Sequence, residues 1–379
     1  MSMPIYLDHN ATTPLLPEVV DAMLPYLREH FGNPSSNHPF GARARAAIDE
    51  ARAHVARLIG SAPEEICFTS GGTEANNLAI RGIADASSGR RRCITSTIEH
   101  PATTNPCQHL AEHGWGVERI AVDEQGRVRM DMMRERIAAD VALVTVMHAN
   151  NETGTIEPIR EIADIARAHG ALVHTDAAQS VGKLPVNVDA LGVDLLTVAG
   201  HKLNAPKGVG ALYVRRGTSI QPFLLGAGHE RGLRPGTENV ASIVGLGVAC
   251  QVAAATLETR NATLRELRDR LWGAIIRAIP EAAMNARTVE RLPNTLSLRF
   301  PHVHGSALLA ATPEIAASTG SACHEGHETP SSVLLAMGLA PEEALRTVRL
   351  SVGTTTTARD IELAAEALVR AWRVVSGRA

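Results

Sequence analysis

Several features that mark particular classes of protein are missing from this 379-residue sequence. The formal net charge is only −3 and the basic cluster Arg90–Arg92 is short, so no surface suited to nucleic acid is indicated. The five cysteines are widely spaced and include no Cys-X-X-Cys pair, which argues against a disulfide framework and favours a reducing compartment. No internal repeat and no low-complexity linker is visible.

The sequence also lacks a recognisable targeting or membrane-spanning segment. The first residues, MSMPIYLDHNATTP, have neither a basic region nor an apolar core, so we expect no signal peptide. Residues 239–257 carry no formal charge, but they are rich in small residues and contain a glutamine. This composition predicts a helix in the core or at a subunit interface rather than a membrane span. We therefore expect a cytoplasmic protein with no membrane partner.

Short β-branched segments alternate with amphipathic helical segments up to about residue 240. Strands are predicted at EEICFTS, RRCITSTIE, GVERIAV, ADVALVTVMHA, ALVHTDA, VDLLTVAG and GVGALYV. This alternation predicts βαβ units, and hence an α/β fold with a mostly parallel sheet. A long helix, the strands NTLSLRF and VRLSV and a final helix then predict a smaller α+β domain. The expected organisation is a large domain over 16–255 and a smaller one that combines 256–379 with the N-terminal segment 1–15.

The first candidate site follows a predicted strand, in FTSGGTEANNLAI. Glycines let the backbone approach a ligand, and free N–H groups at the start of a helix bind anions such as phosphate. Gly72 and Thr73 are therefore candidate phosphate-binding residues. The alternative is a strand–helix turn that Thr73 caps. The segment matches neither of the glycine patterns that bind dinucleotides or nucleoside triphosphates.

Two charged residues follow later strands of the same predicted sheet. Asp176 ends ALVHTDA, at the edge where open α/β sheets bind ligands, and its carboxylate suits a cationic ring nitrogen. Lys202 follows the apolar strand VDLLTVAG, where burial lowers the pKa of a lysine and favours Schiff-base chemistry. The alternatives are an aspartate that caps a turn and a lysine whose amine extends to solvent. Together with the phosphate-binding turn, the two residues predict a pyridoxal phosphate (PLP) site.

The sequence resembles the cysteine desulfurases, which are fold-type I PLP enzymes of the class V aminotransferase family, and among them the nitrogen-fixation-type branch. The resemblance runs through YLDHNATTP, FGNPSS, FTSGGTEANN, MHANNETGTIEPI, HTDAAQSVGK, GHKLNAPKGVGALYVRRG, GAGHERGLRPGTEN, RLPNTLSL, STGSAC and VRLSVG. It implies a fold-type I transferase, a homodimer, and L-cysteine or L-selenocysteine as the substrate.

The resemblance also implies which residues hold the cofactor. Lys202 carries it, Asp176 pairs with the pyridine nitrogen, and Gln179 hydrogen-bonds the phenolic oxygen. His100 stacks on the ring and assists proton transfer. The alternative for His100 is a residue that only satisfies a helix terminus.

Further matching residues are assigned to the phosphate and to the substrate. The phosphate is bound by Gly72, Thr73 and His201. Thr237 reaches the phosphate in the partner subunit. Asn151 contacts both the cofactor and the substrate carboxylate, which Arg349 holds through a bidentate pair. The alternative for Arg349 is a structural ion pair.

Cys323, in STGSACHEGHE, is the nucleophile that the resemblance implies. Its thiolate attacks the substrate sulfur, which leaves L-alanine and a persulfide for transfer to an acceptor protein or a small thiol. A free cysteine, with a pKa of about 8.5, is only a few per cent thiolate at neutral pH. Protonated His324 or His327 raises that fraction, whereas the neighbouring glutamates oppose it.

Three alternatives concern the same segment. Cys323, His324 and His327 are possible zinc ligands, although one short cluster does not supply a closed tetrahedral set. A selenocysteine lyase shares the scaffold, and it fits both the Cys-His pair at 323–324 and Ala199, where desulfurases usually have a hydroxyl residue. A non-catalytic sulfur carrier is disfavoured by the presence of Lys202 and Asp176.

Two departures from the family pattern affect these expectations. Ala199 removes one expected hydrogen bond to the phosphate. The chain also ends soon after the helix EALVRAWRVV, whereas the housekeeping iron–sulfur desulfurases carry a longer tail that engages a scaffold protein. That second departure weakens the assignment of such a partner.

Overall fold

The computed structural model describes residues 3–320 and 329–378. Its strands are β1 (Ile5–Tyr6), β2 (Ile66–Thr69), β3 (Arg92–Ser96), β4 (Gly116–Ile120), β5 (Val141–Thr145), β6 (Leu172–Asp176), β7 (Leu195–Ala199), β8 (Gly210–Val214), β9 (Ala283–Met284), β10 (Thr295–Arg299), β11 (Ile315–Ala316) and β12 (Thr347–Ser351). Its α-helices are α1 (Pro17–Arg28), α2 (Pro39–Ile59), α3 (Gly72–Ala86), α4 (Pro101–Glu112), α5 (Met130–Arg136), α6 (Ile159–Ala168), α7 (Val188–Leu191), α8 (Val240–Ala278), α9 (Gly305–Ala310), α10 (Ser332–Ala336), α11 (Pro341–Leu345) and α12 (Ala358–Ser376).

A seven-stranded sheet forms the centre of the molecule, in the order β2-β8-β7-β6-β5-β3-β4. Strand β8 is antiparallel to both of its neighbours, and the other paired strands of the sheet are parallel. Strands β5 and β7 are buried along their whole length, as their continuous apolar sequences predict. The predicted mostly parallel α/β sheet is confirmed.

Helices cover both faces of this sheet, because side chains alternate along each strand. Cys67, Cys93 and Leu143 belong to an apolar cluster with α3 and α4. The next residues along the same strands pack into a second cluster with α2, α6 and the first half of α8. The result is a three-layer arrangement in which the carboxyl ends of the parallel strands meet at one edge.

A third apolar cluster lies around a smaller antiparallel sheet, in which β10 pairs with β12 and with β9. The second half of α8 and helix α12 pack on it. The N-terminal strand β1 pairs in parallel with β11, and Leu7 is buried in this cluster. Helix α8 therefore contributes to two cores, and the domain boundary predicted at 255/256 falls inside it. The domain limits stay a prediction.

Helix α8 alone, among the helices in the described part of the chain, is long and apolar enough to cross a membrane by length and composition. Half of its most apolar window, 50 %, is buried within the molecule, and α1 and α2 pack along the helix. A Cβ atom at Gly247 would lie 2.6 Å from Ala51 of α2, so this glycine permits a close helix–helix contact.

Candidate active site

A cavity of about 430 Å³ lies where β6 and β7 end and α3 and α4 begin. Its walls contain most of the residues that the sequence predicted: Gly72, Thr73, His100, Asn151, Asp176, Gln179, His201, Lys202 and Arg349. Thr237 is not among the lining residues, and its contact with a partner subunit stays a prediction. Cys323, His324 and His327 fall outside the described residues.

Asp176 is the last residue of β6, and its carboxylate is buried at the cavity wall. Its Oδ2 accepts a 2.7 Å hydrogen bond from the side-chain amide of Asn76, on α3. Its Oδ1 accepts a 2.9 Å hydrogen bond from the backbone N–H of Ala178. Both donors are neutral amides, so within the described structure no cation pairs with this carboxylate, and it can pair with a cationic group in the cavity.

Lys202 ends a short 3₁₀ turn directly after β7. Its Nζ donates hydrogen bonds to the backbone oxygens of Asn10 (2.7 Å) and Ala11 (2.6 Å). Burial lowers the pKa of Lys202 from 10.5 to about 8; the positive charge of Arg349 adds to this effect, and Asp176 opposes it. About a tenth of the amine is therefore neutral at pH 7, far more than for a free lysine, and a lysine nucleophile requires this neutral form.

The part of the cavity at the start of α3 has the features of a phosphate site. Helix α3 begins at Gly72, and Gly71 at its cap position has a φ of 149° and offers no side chain to the first N–H groups. A Cβ atom at Gly72 would lie 3.2 Å from the Cβ of Ala199, so the turn and the end of β7 are in close contact. His201 lines the same cavity, and burial lowers its pKa to about 4, which keeps the imidazole neutral.

His100 fills its alternative role at a helix terminus and also lines the cavity, while its predicted role on the cofactor ring stays a prediction. It precedes α4, and its Nδ1 accepts a 3.1 Å hydrogen bond from the backbone N–H of Ala102, so it caps the helix. The ring also lines the cavity. Burial lowers the pKa of His100; Lys202 adds to that effect, whereas Asp176 opposes it. The helix cap thus fixes the orientation of a cavity-lining imidazole.

Arg349 and Asn151 lie together at the side of the cavity nearest β12. Arg349 forms a 2.7 Å ion pair with Asp8 and donates a 3.1 Å hydrogen bond to the backbone oxygen of Asn151. The structural ion pair considered as the alternative is therefore present. The guanidinium nevertheless lines the cavity, and its buried Nε has no hydrogen-bond partner in the described structure. It retains capacity to bind a carboxylate.

The sequence did not single out Asn10 and Asn76, although both occur in the motifs YLDHNATTP and FTSGGTEANN. The backbone oxygen of Asn10 accepts hydrogen bonds from Lys202 and, at 3.0 Å, from Gln179. Its side chain donates a 3.1 Å hydrogen bond to the backbone oxygen of Asn151. These contacts join residues more than a hundred positions apart, so the local sequence offers no sign of them.

The cavity fits PLP in its shape and in its donor set. An anionic carboxylate, a partly neutral lysine and a helix N-terminus face one another across a space of suitable size for a small aromatic phosphate. The fold and the site thus define a PLP-dependent enzyme of the α/β type. The family model for class-V aminotransferases matches residues 5–363, and the chain belongs to this family.

Curated relatives match nearly the whole chain. A cysteine desulfurase IscS from Dictyoglomus turgidum is 44 % identical over 98 % of this chain and 95 % of its own length. The cysteine desulfurase NifS from Azotobacter vinelandii is 45 % identical over 94 % of this chain and 90 % of its own length.

Solved structures show the same architecture. A NifS-like protein superposes with a TM-score of 0.90 at 34 % identity, covering 99 % of this chain and all of the other. A structure titled SspA in complex with cysteine has a TM-score of 0.81 at 37 % identity, covering 92 % of this chain and 98 % of the other. The fold-type I expectation is confirmed.

Proposed function

We propose that this protein is a PLP-dependent cysteine desulfurase, which converts L-cysteine to L-alanine and leaves the sulfur as a persulfide on Cys323. The observation that carries the proposal is the convergence of Lys202, Asp176, the α3 N-terminus and Arg349 on one cavity. Support also comes from relatives named as desulfurases along the full chain and from a related structure described as a complex with cysteine.

The residues around the cavity divide between cofactor and substrate. Asp176 and the first turn of α3 would hold the ring and the phosphate. Arg349, through its free Nε, and Asn151 would hold the substrate carboxylate. PLP, when bound, supplies an electron sink at the substrate Cα.

The proposed chemistry uses two nucleophilic side chains. Lys202 accepts the Cα proton of the substrate in its neutral form. The thiolate of Cys323 forms a bond to the substrate sulfur as the bond between that sulfur and the substrate Cβ breaks. The electron pair of the broken bond stays on the carbon side, Cβ takes up a proton, and Lys202 returns a proton to Cα. The products are L-alanine and the Cys323 persulfide. Gly320 is three positions before Cys323 in the sequence, and it lies against Glu152. Glu152 directly follows Asn151, which is proposed to bind the substrate.

The persulfide sulfur would pass to an acceptor protein or a small thiol, for the supply of iron–sulfur clusters or thio-cofactors. We place this transfer in the reducing cytoplasm, which keeps the thiol of Cys323 reduced.

We also propose a homodimer, in which Thr237 completes the partner's phosphate site. Leu225, in the segment before Thr237, is 93 % exposed, and Phe31 is 80 % exposed, which supports burial against another subunit. Light scattering on the purified protein tests this part of the proposal.

A selenocysteine lyase is the second candidate. Ala199 favours it, because this buried position at the end of β7 lacks the hydroxyl group usual in desulfurases. The Cys-His pair at 323–324 points the same way. The lyase requires no sulfur-accepting thiol, so the two activities differ in their dependence on Cys323.

Rates on L-cysteine and L-selenocysteine, measured with wild type, Cys323→Ala and Cys323→Ser, separate the candidates. A desulfurase loses at least a hundredfold of its cysteine activity in both variants, while selenocysteine turnover survives. Wild-type turnover confined to selenocysteine would contradict the desulfurase assignment.

Binding of the cofactor is tested by colour. Wild-type protein should be yellow, and Lys202→Ala should abolish the absorption band of PLP linked to this lysine. Stoichiometric zinc in the purified protein would instead favour the metal-site alternative.

A further inference from the structure

A second buried lysine lies beside the catalytic one. Lys183, in the motif HTDAAQSVGK, is only 6 % exposed. Its Nζ donates a 2.8 Å hydrogen bond to Oε1 of Gln179 and a 3.4 Å hydrogen bond to Oδ1 of Asn10. Both acceptors are neutral amides, and within the described structure no carboxylate forms an ion pair with this amine. Burial of a cation whose only partners are amides lowers the stability of the fold, so the presence of Lys183 here calls for an explanation.

The charged groups that face Lys183 are also cationic. The positive charges of Lys202, Arg349 and Arg260 act on Lys183, and the charge of Lys183 in turn acts on His9. Burial, followed by these cations, lowers the pKa of Lys183 to about 7. The charge of this amine therefore depends on pH near neutrality. Its connection to the cavity is the hydrogen bond to Gln179, which lines the cavity wall.

Two fixed partners determine how the Gln179 amide is oriented. The backbone oxygen of Asn10 can only accept, so at 3.0 Å it must face the Nε2 group of Gln179. The Lys183 ammonium can only donate, so it must face Oε1. The oxygen of Asn10 also accepts from Lys202, at 2.7 Å. The amide NH₂ group of Gln179 is therefore held beside the Lys202 amine, where it lines the cavity.

We propose that Lys183 is a positioning residue, which locks the Gln179 amide so that a hydrogen-bond donor faces an anionic oxygen of the cofactor next to Lys202. The inference rests on the proposed PLP-dependent function and deepens it. Lys183 is not among the residues that line the cavity, so it acts through Gln179, which is. Its role is to favour the ionised form of that cofactor oxygen.

A spectroscopic pH titration of the cofactor-loaded protein tests this role. The absorption band of lysine-linked PLP shifts with pH when the bound cofactor takes up or releases a proton. In Lys183→Met, which keeps the side-chain length but removes the donor, the midpoint should rise by about one pH unit, a tenfold change in proton affinity. The affinity of the apoprotein for PLP should fall in parallel.

Two controls separate positioning from simple electrostatics. Arg260→Met removes a half-buried cation whose charge also acts on Lys183, but Arg260 donates to Asn204 at 3.1 Å and not to Gln179. Its midpoint should stay within about 0.3 pH units of wild type, since it leaves the amide orientation intact. Gln179→Leu should raise the midpoint as Lys183→Met does. The double variant Gln179→Leu/Lys183→Met should show no further rise.

Each outcome decides the inference. An unchanged midpoint in Lys183→Met, an equal shift in Arg260→Met, or additive shifts in the double variant would overturn it. Failure of wild type to bind PLP would instead contradict the proposed function itself. Circular dichroism checks that the variants fold, and Lys183→Ala replaces Lys183→Met in the same comparison if the latter does not.

Discussion

Arg52 and Glu230, which are 178 residues apart in the sequence, form a buried bidentate ion pair in which both N–O distances are 2.7 Å. The same carboxylate accepts a 2.8 Å hydrogen bond from the backbone N–H of Phe68, and Arg52 donates to the backbone oxygen of Ile66. Glu230 has a φ of 45°, a left-handed conformation that is costly for this residue. The pair therefore fastens the segment that leads to Thr237 onto β2.

Removal of either partner should destabilise the fold strongly. In Arg52→Met or Glu230→Gln, the remaining group is buried without full compensation, and the free energy of unfolding should fall by about 3–5 kcal/mol. The double variant should lose much less than the sum, as urea denaturation can measure. The exposed pair Arg160–Asp164 is the control, for which single substitutions should have little effect on stability because solvent screens the two charges. Additive losses at positions 52 and 230 would contradict the coupling.

The hydrogen bond between Asn76 and Asp176 should govern cofactor affinity. In Asn76→Asp, two carboxylates would share this 2.7 Å contact and hold a proton between them, which weakens pairing with a cationic ring nitrogen. We expect the affinity of the apoprotein for PLP to fall about tenfold, as fluorescence titration can measure. Asn76→Ala removes only the neutral donor, so its loss should be smaller. Wild-type affinity in Asn76→Asp would exclude a role for this contact.

Glu152 should make stability depend on pH. Its side chain accepts a hydrogen bond from the Ser331 hydroxyl, and burial raises its pKa from 4.5 to about 7, although Ser331 and Arg349 oppose the rise. Since the folded protein holds this proton more tightly than the unfolded chain, the associated stability is complete below about pH 4.5 and is lost as the pH rises through 7.

Glu152→Gln, which mimics the protonated carboxyl, tests that linkage. The variant and wild type should have similar stability at pH 4.5, whereas at pH 8 the variant should be more stable by up to about 3 kcal/mol. Denaturation in urea from pH 4.5 to 8 provides the measurement. Glu161→Gln, on the exposed side of α6, is the control substitution. Parallel curves for Glu152→Gln and wild type would refute the assignment.

Ala199→Ser should strengthen cofactor binding. The added hydroxyl lies at the cavity wall, beside the start of α3, and one net hydrogen bond to the phosphate corresponds to about a two- to tenfold gain in PLP affinity. Gly72→Ala should act in the opposite direction, because its new Cβ would lie 3.2 Å from that of Ala199. Equilibrium dialysis of PLP against both apoproteins measures the two effects. An equal or weaker affinity in Ala199→Ser would show that the hydroxyl does not reach the phosphate.

The sequence predicted the parts of the molecule that depend on local pattern. Asp176 and Lys202 follow apolar strands, and parallel strands bring their carboxyl ends together, so their proximity follows from the fold class. The antiparallel direction of β8 was not predicted, although the connection from β7 contains no crossover helix and is too short for a parallel strand. The orientation of Gln179 by Lys183 depends on Asn10, which hydrogen-bonds Ser351 of β12 and Thr295 of β10. Such contacts arise only after the chain has folded.

The pairing of Asp8 with Arg349 sets a condition on how the protein is made. The two residues are 341 positions apart, and β12 is the last strand of the smaller sheet. Strand β12 is synthesised long after β1, so Asp8 lacks its ion-pair partner until Arg349 has been made. The pocket for the cofactor can therefore mature only after β12 has been translated.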